Sequence, residues 1–306
     1  MRVTEYWQQA LKQEPSLVAL EAWSKQPICA QPLSGGLTNQ CWKVSTQCGR
    51  HYVWRPHSLS TQILSIHRSH EYHILSALQS APFSPKVEGL FAQGLLVQWV
   101  DGDTLTQVAQ YDALASVMKC LSNLHQYSIK DAVAHPRLVE SANIRSFDYA
   151  HCIQGYWQAL QPEQRTPILQ RRLETFLSQY DVLYRETLAL APVCLCHFDL
   201  GDYNIIQTDD AKLVIIDWEY AALASPILDV AISILAGQFD VQLSVTSYAQ
   251  WQGINESAWC EMILRWLPPL RFMALLWHQI AYSLYGRTSD KEAICILDRQ
   301  LQSDGY

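Results

Sequence analysis

The chain has 306 residues, 49% of them hydrophobic and 17% charged, which is too apolar for a disordered segment and enough for one large domain or two modest ones. A formal net charge of −7 argues against nucleic acid as the main partner, because phosphate binding needs basic patches, and is compatible with a small cationic substrate. Nine cysteines without a C-x-x-C pair point to a reducing compartment, with neither disulfides nor zinc.

The N-terminus, M-R-V-T-E-Y-W-Q-Q-A-L, lacks the apolar core of a signal peptide, and runs such as Leu188 to Cys196 are too short to span a bilayer. The expectation is a cytoplasmic protein without a membrane partner. Trp7, Leu11, Leu17 and Leu20 predict an amphipathic helix over 4–25. P-L-S-G-G-L-T-N follows as a glycine turn, and S-G-G by itself reads as a plain turn. The runs Q-C-W-K-V-S-T and H-Y-V-W-R-P flank Q-C-G-R as a hairpin. A helix with Leu64, Ile74, Leu75 and Leu78 comes next, then a second hairpin, Gly89–Phe91 and Leu95–Val100, around A-Q-G.

D-G-D at 101–103 reads as a short hinge between a strand-rich part, 1–100, and a helical part, 101–306. Helical periodicity covers 104–127 and much of 141–190, and resumes from Ile227 to the end. Between these lie strand signals at Val193–Cys196, Asn204–Thr208 and Lys212–Asp217. Cys194 and Cys196 face one side of the first of these strands, as buried packing.

The chemistry concentrates in C-H-F-D-L-G-D-Y-N, ending at Asn204, and I-I-D-W-E-Y-A, which contains Asp217. A two-residue loop at Asp210 and Ala211 pairs Asp209 with Lys212, and that register sets Asn204 opposite Asp217. Directly opposed residues have Cβ atoms roughly 5 Å apart, so an amide oxygen and a carboxylate converge, with Asp199 on the loop above them. Two oxygen ligands with a carboxylate beside them make a magnesium site with a base. H-x-D-x-x-x-x-N followed by a hairpin ending in Asp is the kinase arrangement. In it Asp199 takes or orients the substrate hydroxyl proton, and Asn204 and Asp217 hold Mg²⁺ on the phosphates of ATP. A polar loop with a capping Asp is the alternative from the three-residue pattern alone.

Together these segments resemble the aminoglycoside phosphotransferase and choline kinase superfamily, and I-D-W-E-Y-A is similar to choline/ethanolamine kinases and bacterial thiamine kinases. The resemblance implies an α+β, two-lobed protein-kinase-like fold, with a small antiparallel-sheet N-lobe and a mostly helical C-lobe. Its motifs run from about Leu33 to Asp229. L-S-G-G-L-T-N-Q-C-W-K-V resembles the nucleotide loop, which implies ATP contacts at Ser34, Gly35, Gly36 and Asn39; glycine there lets backbone N–H groups approach phosphate. V-W-R-P resembles the strand carrying the phosphate-contacting cation, with Arg55 where protein kinases have Lys. Its fork suits phosphate oxygens, and Glu71 is the expected partner, with His70 and Glu88 nearby. L-V-Q-W-V-D-G resembles the interlobe hinge, where the backbone at Gln98 reads the adenine edge; a solvated edge residue is the alternative.

Other residues keep two readings. His197 is structural; Glu219 approaches a second metal or the substrate, and Asp229 orders the loop by accepting its N–H bonds, or each caps local structure. Asp202 has no assigned role. Residues 251–285 carry Trp251, Trp259, Trp266, Phe272, Trp277, Tyr282 and Tyr285, with Glu256 and Glu261 as the acids. Aromatic faces suit a quaternary nitrogen, although Trp266, Leu270, Met273 and Trp277 have the spacing of a core stripe. The resemblance implies ATP and Mg²⁺ as cofactors and a small cationic alcohol, thiamine- or choline-like, as substrate. The tail R-W-L-P-P-L-R-F-M-A-L-L-W-H-Q-I-A-Y resembles thiamine kinases and tips the expectation to thiamine. An aminoglycoside would call for more carboxylates, and a non-catalytic binding protein on a kinase fold is the competing class.

Overall fold

The structure is a computed structural model that describes residues 2–23, 25–33, 41–58, 61, 63–64, 66–108, 112–127 and 144–306. In chain order it contains helix α1 (Arg2–Gln13), strands β1 (Pro27–Pro32), β2 (Trp42–Thr46) and β3 (His51–Pro56), helix α2 (Arg68–Ala77), and strands β4 (Val87–Phe91), β5 (Gly94–Gln98) and β6 (Asp103–Thr104). Helices α3 (Ala113–Gln126), α4 (Tyr149–Ala159) and α5 (Pro167–Leu190) precede the short strands β7 (Cys194–Cys196), β8 (Ile205–Gln207), β9 (Leu213–Ile215) and β10 (Ala222–Ala224). Helices α6 (Pro226–Gly237), α7 (Val241–Ala249), α8 (Glu256–Tyr285) and α9 (Thr288–Ser303) complete the order. The chain packs as two compact units, one including Met1–Thr104 and Ile206–Tyr220, the other Leu105–Tyr127, Arg145–Ile205 and Ala221–Tyr306.

The first unit is built on an antiparallel sheet in the order β1-β2-β3-β5-β4. Alternation decides which face is buried: Trp42, Val44 and Thr46 point inward from β2. Trp42 opposes Trp54 and Val44 opposes Tyr52 across the β2–β3 register. These side chains join Trp7, Leu17, Leu20 and Leu96 in one cluster. The helix expected over 4–25 is interrupted, because Pro15 has no N–H for the helical ladder. α1 ends at Gln13, and a 3₁₀ segment, Pro15–Leu20, carries Leu17 and Leu20 into the same core.

Two further segments depart from the sequence reading. D-G-D leads into a strand that the sequence did not announce, since Asp103 pairs with Gln207 and Thr104 with Ile206 in a three-stranded sheet, β6-β8-β9. The β8–β9 hairpin closes on Thr208 and Lys212, whose N–H···O bond is 3.0 Å, instead of on Asp209 and Lys212. Its loop holds three residues because Ala211 takes a left-handed φ of 59°, a conformation that alanine does not advertise. This hairpin packs with the N-terminal unit rather than the helical one: Ile215 N–H donates to the Phe83 carbonyl at 2.7 Å, and the Phe83 and Trp218 rings lie 6.4 Å apart. Burial of Val214, Ile215 and Trp218 drives that placement.

The second unit is helical apart from the two-stranded antiparallel sheet of β7 and β10, in which Cys196 opposes Ala222. Ile227, Leu228, Val230 and Ala231 of α6 are fully buried. Trp259, Met262, Ile263, Trp266 and Leu270 bury the matching stripe of α8, at spacings of three and four residues. The Trp266 indole N–H, which burial would leave without water, donates to Thr187 Oγ1 at 2.8 Å. Among the described residues, no helix is long and apolar enough to cross a membrane.

Candidate active site

In the second unit, β7 runs straight into the segment His197–Asn204. Phe198 stands at a φ of 65°, a position that costs a bulky residue about 1–3 kcal/mol and needs outside support. Asp229 supplies it. Fully buried in the first turn of α6, its Oδ2 accepts the His197 N–H and its Oδ1 the Phe198 N–H, both at 2.7 Å. The Phe198 ring stacks on Phe147 with centroids 4.3 Å apart. Burial works against ionisation of Asp229, but the bond and charge of His125, with His197 behind them, hold its carboxyl below the ordinary range. The loop-ordering role read for Asp229 from the sequence is thus its observed geometry.

One residue further on, Asp199 is half-buried and engaged at both carboxylate oxygens. Tyr203 O–H donates to Oδ1 at 2.9 Å, and Asn204 Nδ2 donates to Oδ2 at 3.0 Å and to the Asp199 carbonyl at 2.8 Å. Asn204 ends the 3₁₀ turn Asp202–Asn204, so it sits before β8 and not on it. With its nitrogen turned to Asp199, its carbonyl oxygen is the end left to act as a ligand. His197 is fully buried, and its Nδ1 accepts the Asp199 N–H at 3.3 Å, in keeping with a structural role.

In the first unit, Arg55 of β3 meets three carboxylates. Its Nε lies 2.9 Å from Glu71 on α2, its Nη2 lies 3.0 Å from Glu219, and it also pairs with Asp217. Arg68, wholly buried, bridges Glu71 at 2.7 Å and Glu219 at 3.0 Å. Burial opposes the charge on Arg55, but Asp217 and then Glu71 raise its pKa well above the usual value. Burial and the Asp217 carboxylate push Glu219 up to about 7, against the pull of Arg55 and Arg68. Glu219 is therefore a buried partner of two arginines. Glu71 is the partner of Arg55, while Glu88 pairs with Lys25.

Asp217 follows β9 with a φ of 65°. The register argument that set it opposite Asn204 does not hold, because the hairpin closes one residue differently and Asn204 precedes the strand. Gln98 ends β5 with its side chain exposed. Its N–H donates to the Lys86 carbonyl at 2.8 Å, and the next N–H, of Trp99, to His51 at 3.2 Å. The N–H groups of Gln98 and Trp99 are therefore committed within the unit. A cavity of about 440 Å³ beside this segment, lined by Trp99, Asp101 and Asp209 among others, includes none of Arg55, Glu71 or Asp217. Volume alone does not locate the chemistry. Ser34, Gly35, Gly36 and Asn39 lie outside the described residues.

Residues 30–255 match the choline/ethanolamine kinase family. The chain belongs to that family. A probable ethanolamine kinase from Arabidopsis thaliana is 25% identical over 205 residues, which is 62% of this chain and 51% of the relative, so the chain spans about half the length of the curated relative it matches. Choline kinase LicA from Streptococcus pneumoniae superposes with a TM-score of 0.70 at 17% identity, covering 95% of this chain and 99% of that one, and has also been solved in complex with AMP. An ethanolamine kinase from Plasmodium vivax gives a TM-score of 0.67 at 19% identity, covering 96% and 88%. At these identities the structures share the fold, an α+β kinase-like architecture.

For this member of the choline/ethanolamine kinase family, the C-terminal aromatics divide. Trp259, Trp266 and Phe272 are at most 3% exposed and belong to the core, whereas Trp251, Tyr282 and Tyr285 are 38–48% exposed and Trp277 is half-buried. The aromatic wall expected from 251–285 is reduced accordingly. Three residues escaped the sequence reading: Arg68, Tyr203 and His125. Arg68 was findable, since it lies three residues before Glu71 and shares its helix face. His125 carried no signal of that kind.

Proposed function

We propose that the protein transfers the γ-phosphoryl group of ATP, with Mg²⁺, to the hydroxyl of a small cationic alcohol. The observation that carries this is the Asp199 carboxylate, held at both oxygens on a loop whose strained backbone is pinned by a buried aspartate. A side chain so fixed suits the receipt or orientation of one hydroxyl proton, and phosphoryl transfer asks mainly for positioning and charge. Family membership and the AMP complex of a fold relative support the nucleotide.

The donor set suits magnesium. Asn204 offers an amide oxygen and Asp217 a carboxylate, each a hard donor of the kind Mg²⁺ takes. Magnesium, when bound, would neutralise charge on the phosphate oxygens. Arg55 would meet phosphate oxygens of the nucleotide with a guanidinium held in place by Glu71 and Glu219.

For the acceptor, the family match favours choline or ethanolamine. Thiamine is the second reading. It keeps the tail resemblance and the exposed Trp251, Tyr282 and Tyr285 as stacking surfaces, but loses the three aromatics buried in the core. Competition at equal concentrations decides between them. Choline or ethanolamine should show kcat/KM at least tenfold above thiamine, a difference of about 1.4 kcal/mol. The reverse ratio would return the assignment to thiamine and leave the kinase reading standing. Absence of phosphorylated product across these alcohols and amino-sugars would favour a binding protein on a kinase fold.

A further inference from the structure

We propose that the ring of Tyr203 is a recognition surface for the cationic group of the acceptor, held beside Asp199 by its own hydroxyl. The inference deepens the kinase reading and rests on Asp199 taking the acceptor's hydroxyl proton. Tyr203 lies in the 3₁₀ turn Asp202–Asn204, and its O–H donates to Asp199 Oδ1 at 2.9 Å. The polar end of the phenol is thus tethered to the acid, while 42% of the residue stays exposed. Gly201 supplies the seat. A Cβ there would come within 2.2 Å of Tyr203 Cε1 and 2.7 Å of Cζ, so the ring lies directly on this glycine. The Gly201 backbone, with φ −119° and ψ 175°, is one that any residue adopts, so it is the ring and not the turn that asks for glycine.

An exposed side chain ordinarily keeps its rotamer freedom. This one is fixed at two places, which lowers the entropy that binding would have to remove. Its position also sets the chemistry. A hydroxyl that passes its proton to Asp199 stands about 2.6–3.2 Å from that carboxylate. In an amino alcohol with two carbons between oxygen and nitrogen, the nitrogen then comes within reach of the adjoining ring, since a cation feels an aromatic face out to about 6 Å from its centre. Trp259, Trp266 and Phe272 of α8 are enclosed in the core, whereas Tyr203 presents its ring beside the acid. The ring offers π-electron density and no charge. It therefore suits a quaternary nitrogen, which has no N–H to donate, better than a primary ammonium, which is strongly hydrated and asks for oxygen acceptors.

The test compares choline with 3,3-dimethylbutan-1-ol, its uncharged isostere, on the full-length protein. In the parent, kcat/KM for choline should exceed that for the isostere by about tenfold or more. Tyr203→Leu removes the ring, and choline should lose about tenfold, mostly as a rise in KM, while the isostere stays within about threefold. Tyr203→Phe keeps the ring and removes the tether, so the preference for choline should survive within about threefold. Gly201→Ala keeps the tyrosine and fills its seat. There the preference should fall in the same direction as in Tyr203→Leu, which covers the case in which the leucine variant does not fold. No preference in the parent, equal loss for the two alcohols in Tyr203→Leu, or an undiminished preference in it would overturn the proposal. If the parent phosphorylates no alcohol at all, the kinase reading fails, and calorimetric titration with the same pair decides the recognition claim alone. Choline should then bind about tenfold tighter than the isostere in the parent, and by less than about threefold in Tyr203→Leu. Equal binding in the parent, or binding of neither, would overturn it.

Discussion

Asp199 is addressed by Tyr203 on one oxygen and Asn204 on the other, so its position is set independently of its charge. Asp199→Asn keeps the shape and removes the base. Turnover should drop by about 10²-fold or more, with the ATP dissociation constant nearly unchanged. Steady-state kinetics beside calorimetric titration of ATP checks this, and surviving turnover would remove Asp199 from the base role. The pair behind it titrates. Burial works against the charge on His125, but Cys194 and Asp229 raise its pKa above the usual 6.5, so its stabilisation is complete below 6.5 and fades as pH rises through the raised value. Asp229, held below its usual 3.8 by His125 against its own burial, stabilises above 3.8 and loses this as pH falls through the lowered value. The melting-temperature gap between the parent and His125→Gln should therefore be largest near pH 5 to 6 and narrower at pH 9; a flat gap would show that His125 is not charged in the folded protein. The meeting of Asp199 and Asn204 was legible because their spacing is short and specific, whereas Asp229 kept two readings in the sequence. His125 was not legible, since a lone histidine in an apolar helix has the same appearance whether or not a buried acid faces it.

Gly102 shows what an element asks of one position. It sits at a φ of 142°, and a Cβ built there would come within 2.2 Å of the Gln207 carbonyl oxygen. Gly102→Ala should weaken the β6–β8 pairing and destabilise the fold by about 2 kcal/mol, measured by urea unfolding. A change below about 0.5 kcal/mol would mean that the backbone relaxes at no cost. The glycine was visible in D-G-D, but the strand that follows it was not, because a two-residue strand leaves no periodicity to detect. The same limit applies to the β8–β9 loop, where Ala211 takes a conformation usually signalled by glycine or asparagine. Longer elements were legible. Alternation in β2 and β3 and the aromatic stripe of α8 follow from burial on one face, while α1 stopped where Pro15 required it to.

At the scale of the whole molecule, the chain packs as two compact units, and the allocation of the Ile206–Tyr220 hairpin to the N-terminal one was not legible in the sequence. That choice is made by Phe83, which lies far away in the sequence and supplies both a carbonyl and a ring to the hairpin. The family match ends at residue 255 and α8 begins at Glu256, so the helix bearing most of the C-terminal aromatics lies beyond it. Acceptor choice therefore has to be measured. The reaction itself is checked by ³¹P NMR of the protein with ATP, Mg²⁺ and choline, ethanolamine or thiamine. The γ-phosphate signal should be lost as ADP and one phosphomonoester resonance grow, dependent on Mg²⁺ and suppressed in Asp199→Asn. Unchanged ATP in the presence of every alcohol, or turnover of equal rate in Asp199→Asn, would contradict it.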